Sequence, residues 1–247
     1  MNSSKPPVLI LCGGRGTRLR EETVAIPKAL VEIGGEPILR HVVRIYAAQG
    51  FDRCLLLTGH KGEMIESWAA EQSWPEPVSV ECIETGEDTP TGGRIALGAE
   101  RLDGGRFCAT YSDGVADIDL GALLDFHSGH GALATVTVVR PRLQFGVAEL
   151  EEGGRVSGFE EKPELDTWIN GGFFCFEPGA REYIGADSVL EREPLEGLAA
   201  AGELRGYRHE GFWDCMDTYK DAIELNDLWA RGEAPWRVWE AKVGGTG

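Results

Sequence analysis

The sequence predicts an α/β fold, with a mixed, mainly parallel sheet between helices in three layers and a small antiparallel layer added by the second half of the chain. Three observations carry that expectation. Through the first 140 residues, short β-branched and aliphatic runs alternate with longer segments of helical period, the pattern of strand–helix–strand units that lay parallel strands side by side. After Pro141 the runs turn short and extended and are separated by glycine turns such as Glu152-Gly153-Gly154. The chain has 247 residues, 42% of them hydrophobic, enough to cover both faces of a sheet.

Each element follows from its own residues. Residues 8–12 form a compact apolar run, and 54–58, 78–83, 107–111 and 134–139 read the same way as strands. Between them, 38–49 sets Ile38, Val42, Ile45 and Tyr46 on one helical face, and 61–71, 93–101 and 120–128 share that period. Beyond Pro141, residues 147–150, 156–160 and 169–176 are expected to build the antiparallel or mixed layer over the sheet. Tyr219, Ala222, Ile223, Leu228 and Trp229 have helical spacing and mark a C-terminal helix packed by its apolar side. With no repeat and no linker, one domain over 1–247 is expected, in two halves, about 1–140 and about 141–247.

Charge narrows the function. A formal net charge of −17 argues against a nucleic-acid-binding surface, which needs an excess of lysine and arginine along its contact face. One stretch runs against that background: Arg15, Arg18, Arg20 and Lys28 lie close together among glycines. The six cysteines are scattered singly with no C-x-x-C pair, which suits buried reduced thiols. The early apolar run is too short for a signal peptide core and nothing reaches membrane-spanning length, so a cytoplasmic protein without a membrane partner is expected. His127 and His130 stand three apart but lack a third ligand nearby, and a surface or capping role is expected for them. Cys12 has no neighbouring histidine or carboxylate in sequence to activate it, and is expected to pack at a strand end.

The strongest chemical signal is Leu11-Cys12-Gly13-Gly14-Arg15-Gly16-Thr17-Arg18-Leu19, directly after the first strand and followed by Pro27-Lys28. Closely spaced glycines let backbone N–H groups approach an anion unobstructed, while arginine and lysine add charge-assisted bonds to phosphate oxygens. The segment lacks the G-x-G-x-x-G of dinucleotide-binding turns and the G-x-x-x-x-G-K-[ST] of Walker loops. A tight strand-to-helix turn is the plain alternative. Asp113 follows a strand and precedes a glycine, the strand-end position where α/β folds place ligands.

Gly13-Gly14-Arg15-Gly16-Thr17-Arg18-Leu19 with Pro27-Lys28 resembles the signature of the sugar-phosphate nucleotidylyltransferases. Further segments extend the likeness over nearly the whole chain and bring it closest to the glucose-1-phosphate cytidylyltransferases: Thr91-Gly92-Gly93-Arg94, Ser112-Asp113-Gly114-Val115-Ala116-Asp117, Glu161-Lys162-Pro163, Ile169-Asn170-Gly171-Gly172-Phe173-Phe174, Gly211-Phe212-Trp213 with Met216-Asp217-Thr218, and Ala234-Pro235-Trp236.

The resemblance implies a Rossmann-like three-layer fold whose first half binds nucleotide and whose second half binds a sugar phosphate. The implied reaction transfers a nucleoside monophosphate from an NTP, CTP first, to a sugar 1-phosphate, glucose 1-phosphate first. UTP, dTTP, ATP or GTP with another sugar or a cyclitol phosphate is the enzymatic alternative, and an inactive nucleotide-sugar-sensing subunit the non-enzymatic one. Arg18, Lys28 and Lys162 are the implied catalytic residues. Leu11, Cys12, Gly13, Gly14, Arg15, Gly16, Thr17, Thr89, Gly92, Arg94 and Ser112 would hold the nucleotide, and Gly146, Glu161, Asn170 and Gly171 the sugar phosphate. Asp113 and Asp217 would bind Mg2+, which needs only one or two protein carboxylates beside water and phosphate. Three departures stand near the site: Ser112 replaces a glycine, Cys215 a proline, and Ala148-Glu149 a small-then-acidic pair. The stretch 68–84 is shorter than in the cytidylyltransferases, whose insertion there is associated with assembly, so a homo-oligomer is left open.

Overall fold

A computed structural model describes residues 5–14, 16, 25–143 and 145–240. In chain order its strands are β1 (Val8–Leu11), β2 (Glu32–Ile33), β3 (Glu36–Pro37), β4 (Arg53–Thr58), β5 (Ser79–Glu84), β6 (Phe107–Tyr111), β7 (Gly114–Ala116), β8 (Ala134–Val139), β9 (Val147–Leu150), β10 (Val156–Glu160), β11 (Ile169–Phe176), β12 (Leu204–Arg208) and β13 (Trp213–Cys215). The helices are α1 (Ile38–Ala47), α2 (Gly62–Glu71), α3 (Thr91–Ala99), α4 (Leu120–His130), α5 (Glu193–Ala200) and α6 (Tyr219–Ala230), with short 3-10 turns at Lys28–Leu30 and Pro178–Tyr183.

The main sheet has seven strands in the order β12-β8-β11-β6-β1-β4-β5. All neighbours are parallel except β11, which runs antiparallel between β6 and β8. The side chains alternate between two cores, as the pleat requires. Val8, Ile10, Cys54, Leu56 and Cys108 face α1, α2, α4 and α6, while Leu9, Leu11, Leu55, Leu57 and Phe107 face α3 and α5. Three layers result, as the alternation of runs predicts.

One strand lies elsewhere than expected. Residues 169–176 belong to the main sheet, and only β9 and β10 form a separate antiparallel hairpin. The reason is in the sequence of β11: Phe173, Phe174, Cys175 and Phe176 are all buried, so this strand needs cover on both faces. The hairpin instead exposes Val147, Leu150, Val156 and Phe159. The C-terminal segment closes the first core. Trp236 is fully buried, stacks on Phe212, and donates its Nε1 hydrogen to His41 Nδ1 at 3.3 Å. Among the described residues no helix is long and apolar enough to cross a membrane.

Candidate active site

Because β1, β6 and β8 run parallel, their C-terminal ends share one edge of the sheet, where open α/β sheets bind ligands. There the chain leaves β1 through Cys12, Gly13 and Gly14 and lines a cavity of about 530 Å3. Leu11, Cys12, Gly13, Gly14, Gly16, Lys28, Thr89, Arg94, Ser112, Asp113 and Asp217 all line that cavity, so eleven residues singled out from sequence meet at one place. Arg15, Thr17 and Arg18 lie outside the described residues.

At one end of the cavity a charge cluster forms from three distant segments. The Lys28 ammonium stands 2.5 Å from Asp113 Oδ2 and 2.6 Å from Asp217 Oδ1. Lys28 opens a 3-10 turn just after Pro27, whose φ of −65° is the value its ring imposes. Asp113 follows β6, and the antiparallel pairing of β7 with β13 draws Asp217 to it, with Met216 N–H donating to the Asp113 carbonyl at 2.9 Å. A capping box at the start of α6 fixes the far side. Thr218 Oγ1 accepts from Asp221 N–H, while Asp221 Oδ2 accepts from the N–H groups of Thr218 and Asp217 at 2.7 and 3.0 Å. Burial alone would lower the Lys28 pKa, but the Asp113 charge and the hydrogen bonds to both carboxylates outweigh it, and the pKa is raised. Lys28 is therefore charged at neutral pH.

Arg94 lines the same cavity but its terminal nitrogens are engaged within the protein. It is 4% exposed and donates to Gly13 O (3.1 Å), Thr58 O (2.9 Å), Thr85 Oγ1 (2.6 Å), Gly86 O (2.8 Å) and Glu87 O (3.1 Å). It thus joins the glycine-rich segment after β1 to the segments that follow β4 and β5. A Cβ on Gly13 would stand 2.2 Å from Arg94 Cζ, so this glycine serves the protein's own guanidinium. Gly92, in the first turn of α3, does not line the cavity. A Cβ there would meet Ser188 Oγ at 2.1 Å, so this glycine lets α3 approach residues 185–190.

The expected acceptor residues are spread differently. Lys162 lines a neighbouring cavity of about 820 Å3 together with Trp168, His209, Trp213 and Asp214. Glu161 and Lys162 follow β10, and Gly146 precedes β9, so all three ride on the exposed hairpin. Asn170 and Gly171 lie on β11, where the Gly171 carbonyl accepts from Trp213 Nε1 at 2.8 Å. In the wall of the second cavity, burial pushes the Asp214 carboxyl up to about 6. Its Oδ1 accepts from the Cys215 N–H at 2.8 Å, a donor that a proline at 215 would not have.

Cys12 has its thiol pKa pushed well up by burial, with nearby Cys82 adding to the rise, which leaves it a poor nucleophile. His127 Nδ1 and His130 Nε2 both lie 2.7 Å from the Thr135 hydroxyl, below α4. Tyr111 also lines the first cavity and was not singled out from sequence. Tyr111 could have been, since it ends a strand two residues before Asp113. Glu191, which accepts from both Tyr111 and Thr91, carries no local signal at all.

A strand-end glycine segment, a lysine and two converging aspartates on a mainly parallel sheet call for comparison with enzymes that move nucleotides. The sequence pattern of the nucleotidyl transferases matches residues 7–218. The chain belongs to the nucleotidyl transferase family. It is 41% identical to glucose-1-phosphate cytidylyltransferase of Salmonella typhi, over 94% of this chain and 99% of that protein. A probable glucose-1-phosphate cytidylyltransferase of Bacillus subtilis shows the same identity and the same coverage. Among solved structures, HddC from Yersinia pseudotuberculosis superposes with a TM-score of 0.71 at 22% identity, over 91% of this chain and all of that one. That likeness is one of fold, a helix-flanked, mostly parallel sheet. The chain is an enzyme of this family.

Proposed function

We propose that this enzyme transfers CMP from CTP to glucose 1-phosphate, releasing pyrophosphate and forming CDP-glucose. The observation that carries the reading is the placement of Lys28 between Asp113 and Asp217 at the end of a glycine-lined cavity. Identity of 41% over 94% of the chain to glucose-1-phosphate cytidylyltransferases supports the choice of base and sugar. A phosphate oxygen of the sugar 1-phosphate attacks the α-phosphorus of CTP, one new P–O bond forms, and the bond to the pyrophosphate oxygen breaks. No covalent enzyme intermediate is needed, so the work is positional and electrostatic.

Each part of the site has a share in that work. The backbone N–H groups around Gly13, Gly14 and Gly16 are assigned to the phosphates, and Arg15, Thr17 and Arg18 to the same task from sequence. Leu11, Thr89 and Ser112 are assigned to the nucleoside, with Arg94 joining the segment after β1 to the one after β5. Glu161, Lys162, Asn170, Gly146 and Gly171 are assigned to the sugar phosphate. Asp113 and Asp217 suit Mg2+: two carboxylate oxygens already converge on one cation, the Lys28 ammonium, and their hard oxygens leave coordination places for water and phosphate. When bound, Mg2+ supplies charge neutralisation at the α-phosphate and the leaving group.

Pyrophosphate release, measured across all five nucleoside triphosphates and a panel of sugar 1-phosphates with Mg2+ and with product mass determined, tests the reading. CTP with glucose 1-phosphate should have the highest kcat/KM. A different pair favoured by about tenfold or more overturns the assignment of base or sugar, and binding without turnover across the panel overturns the reaction.

A further inference from the structure

We propose that Tyr111 and Glu191 are positioning residues for the acceptor, because they close a one-way hydrogen-bond chain that fixes the amide of Asn170. The inference rests on the functional reading above. The chain begins at Gly172, whose main-chain N–H can only donate and does so to Asn170 Oδ1 at 2.8 Å. That contact orients the amide, and Asn170 Nδ2 donates to the Tyr111 hydroxyl at 3.3 Å. The Tyr111 hydroxyl then donates to Glu191 Oε1, a carboxylate oxygen that accepts. Glu191 Oε2 accepts from Thr91 Oγ1 at 2.8 Å, and Thr91 Oγ1 in turn accepts from the Leu190 N–H at 2.8 Å. A main-chain donor at each end and a carboxylate between them leave one arrangement of the intervening protons.

The backbone is built around this chain. Gly172 has φ +81°, and a Cβ there would lie 2.6 Å from Tyr111 Cδ2, so the ring comes this close to the strand only because the residue is glycine. The consequence lies in what Asn170 has left over. One Nδ2 hydrogen and one Oδ1 lone pair remain, on sides fixed by the chain, and a donor beside an acceptor is what two neighbouring sugar hydroxyls require. The other end of the chain is Thr91, which lines the nucleotide cavity as the first residue of α3. One hydrogen-bonded path therefore runs from the nucleotide half of the site to the acceptor half. Asn170 is the group that would touch substrate, and Tyr111 and Glu191 act through it.

The experiment compares Tyr111→Phe and Glu191→Gln with the unaltered enzyme, using the substrate pair that the unaltered enzyme turns over best. Phenylalanine keeps the ring on Gly172 and removes only the hydroxyl, so the melting temperature should stay within about 2 °C. KM for the sugar 1-phosphate should rise about tenfold, while KM for the nucleotide stays within about twofold, since only one substrate loses a preoriented partner. Glu191→Gln should move the same constant in the same direction by less, because glutamine still offers one acceptor. Equal rises in both KM values, or no rise, would overturn the proposal. If the enzyme turns over no pair, the functional reading fails on its own. The chain is then tested by NMR in the ligand-free protein, where the Asn170 side-chain amide resonance, assigned by its loss in Asn170→Ala, should shift in Tyr111→Phe. An unmoved resonance refutes the chain independently of activity.

Discussion

Replacing Arg94 with methionine keeps a long unbranched stem and removes only the guanidinium, which makes it the cleanest test of how the nucleotide cavity is held together. Arg94 donates to five protein acceptors while 4% exposed. Net contributions of roughly 0.5–1.5 kcal/mol per bond do not add fully in one network, and the loss is expected near 3–4 kcal/mol. At roughly 2–4 °C per kcal/mol for a chain of this size, the ligand-free melting temperature should fall by about 10 °C. KM for the nucleotide should rise at the same time, because the segments after β1, β4 and β5 are no longer joined. Thermal melts by circular dichroism, with and without nucleotide, measure both effects. If Arg94 instead contacts the base directly, nucleotide KM rises with the melting temperature unchanged, and that result refutes the reasoning. Gly13→Ala supplies a second arm, since its Cβ would collide with the same guanidinium at 2.2 Å. The Gly13→Ala, Arg94→Met double variant should therefore lose less stability than the two single losses combined.

Asp217→Ala should lower kcat by about 100-fold or more and leave the fold intact, with steady-state pyrophosphate release as the measure. Near-normal turnover would remove Asp217 from the site. The stability of the protein should also fall with acid through His127. Burial, aided by the Arg106 charge, pulls its pKa from 6.5 to about 4, against the opposing pull of Glu177. The unfolded chain takes up a proton near pH 6.5 that the folded protein refuses until about pH 4, so this stability is fully present above pH 6.5 and is lost as pH falls through that window. His127→Gln should flatten the melting temperature between pH 6.5 and 4.5 relative to the unaltered protein. An unchanged slope would assign the acid sensitivity to Glu177, His130 or another group.

Local patterns made much of this molecule readable. The runs at 8–12, 54–58 and 107–111 and the helical period at 38–49 depend on neighbours within a turn or a pleat, and their elements formed within a few residues of the expected bounds. The glycine-rich segment and the two aspartates were readable through the family likeness. What escaped depends on contacts between distant segments. β12, Leu-Arg-Gly-Tyr-Arg, carries a glycine and two arginines and has no strand signature, yet it pairs with β8 at the sheet edge. β7 and β13 are three residues each, too short to show a period, and it is their pairing that unites Asp113 with Asp217. From sequence β11 reads with the outer layer, because it is one of the short extended runs that glycine turns separate after Pro141. The four consecutive buried side chains of Phe173, Phe174, Cys175 and Phe176 are what place it in the sheet. The role of Glu191 lies in bonds to Tyr111 and Thr91, 80 and 100 residues away, and no local pattern encodes such distances.

The charge balance at Lys28 leads to a prediction of opposite sign to its effect on turnover. Asp113 and Asp217 both hold the Lys28 ammonium at the end of a cavity proposed to take a triphosphate. A divalent ion bound there would use the carboxylate oxygens that the ammonium already occupies at 2.5 and 2.6 Å. Ammonium and metal then compete. Two unit charges about 4 Å apart interact by about 4 kcal/mol at an effective dielectric of 20, before the offsetting loss of hydration, so removing Lys28 should tighten metal binding several-fold. Lys28→Ala should therefore bind Mn2+, used as a paramagnetic stand-in for Mg2+, more tightly in the nucleotide-free state while turning over at least 100-fold more slowly. Titration followed by electron paramagnetic resonance reads the affinity without reference to activity. Weaker or unchanged Mn2+ binding in Lys28→Ala would mean that the carboxylates and the ammonium act together rather than in competition, and Asp113 and Asp217 would then be partners of Lys28 and not ligands of a metal.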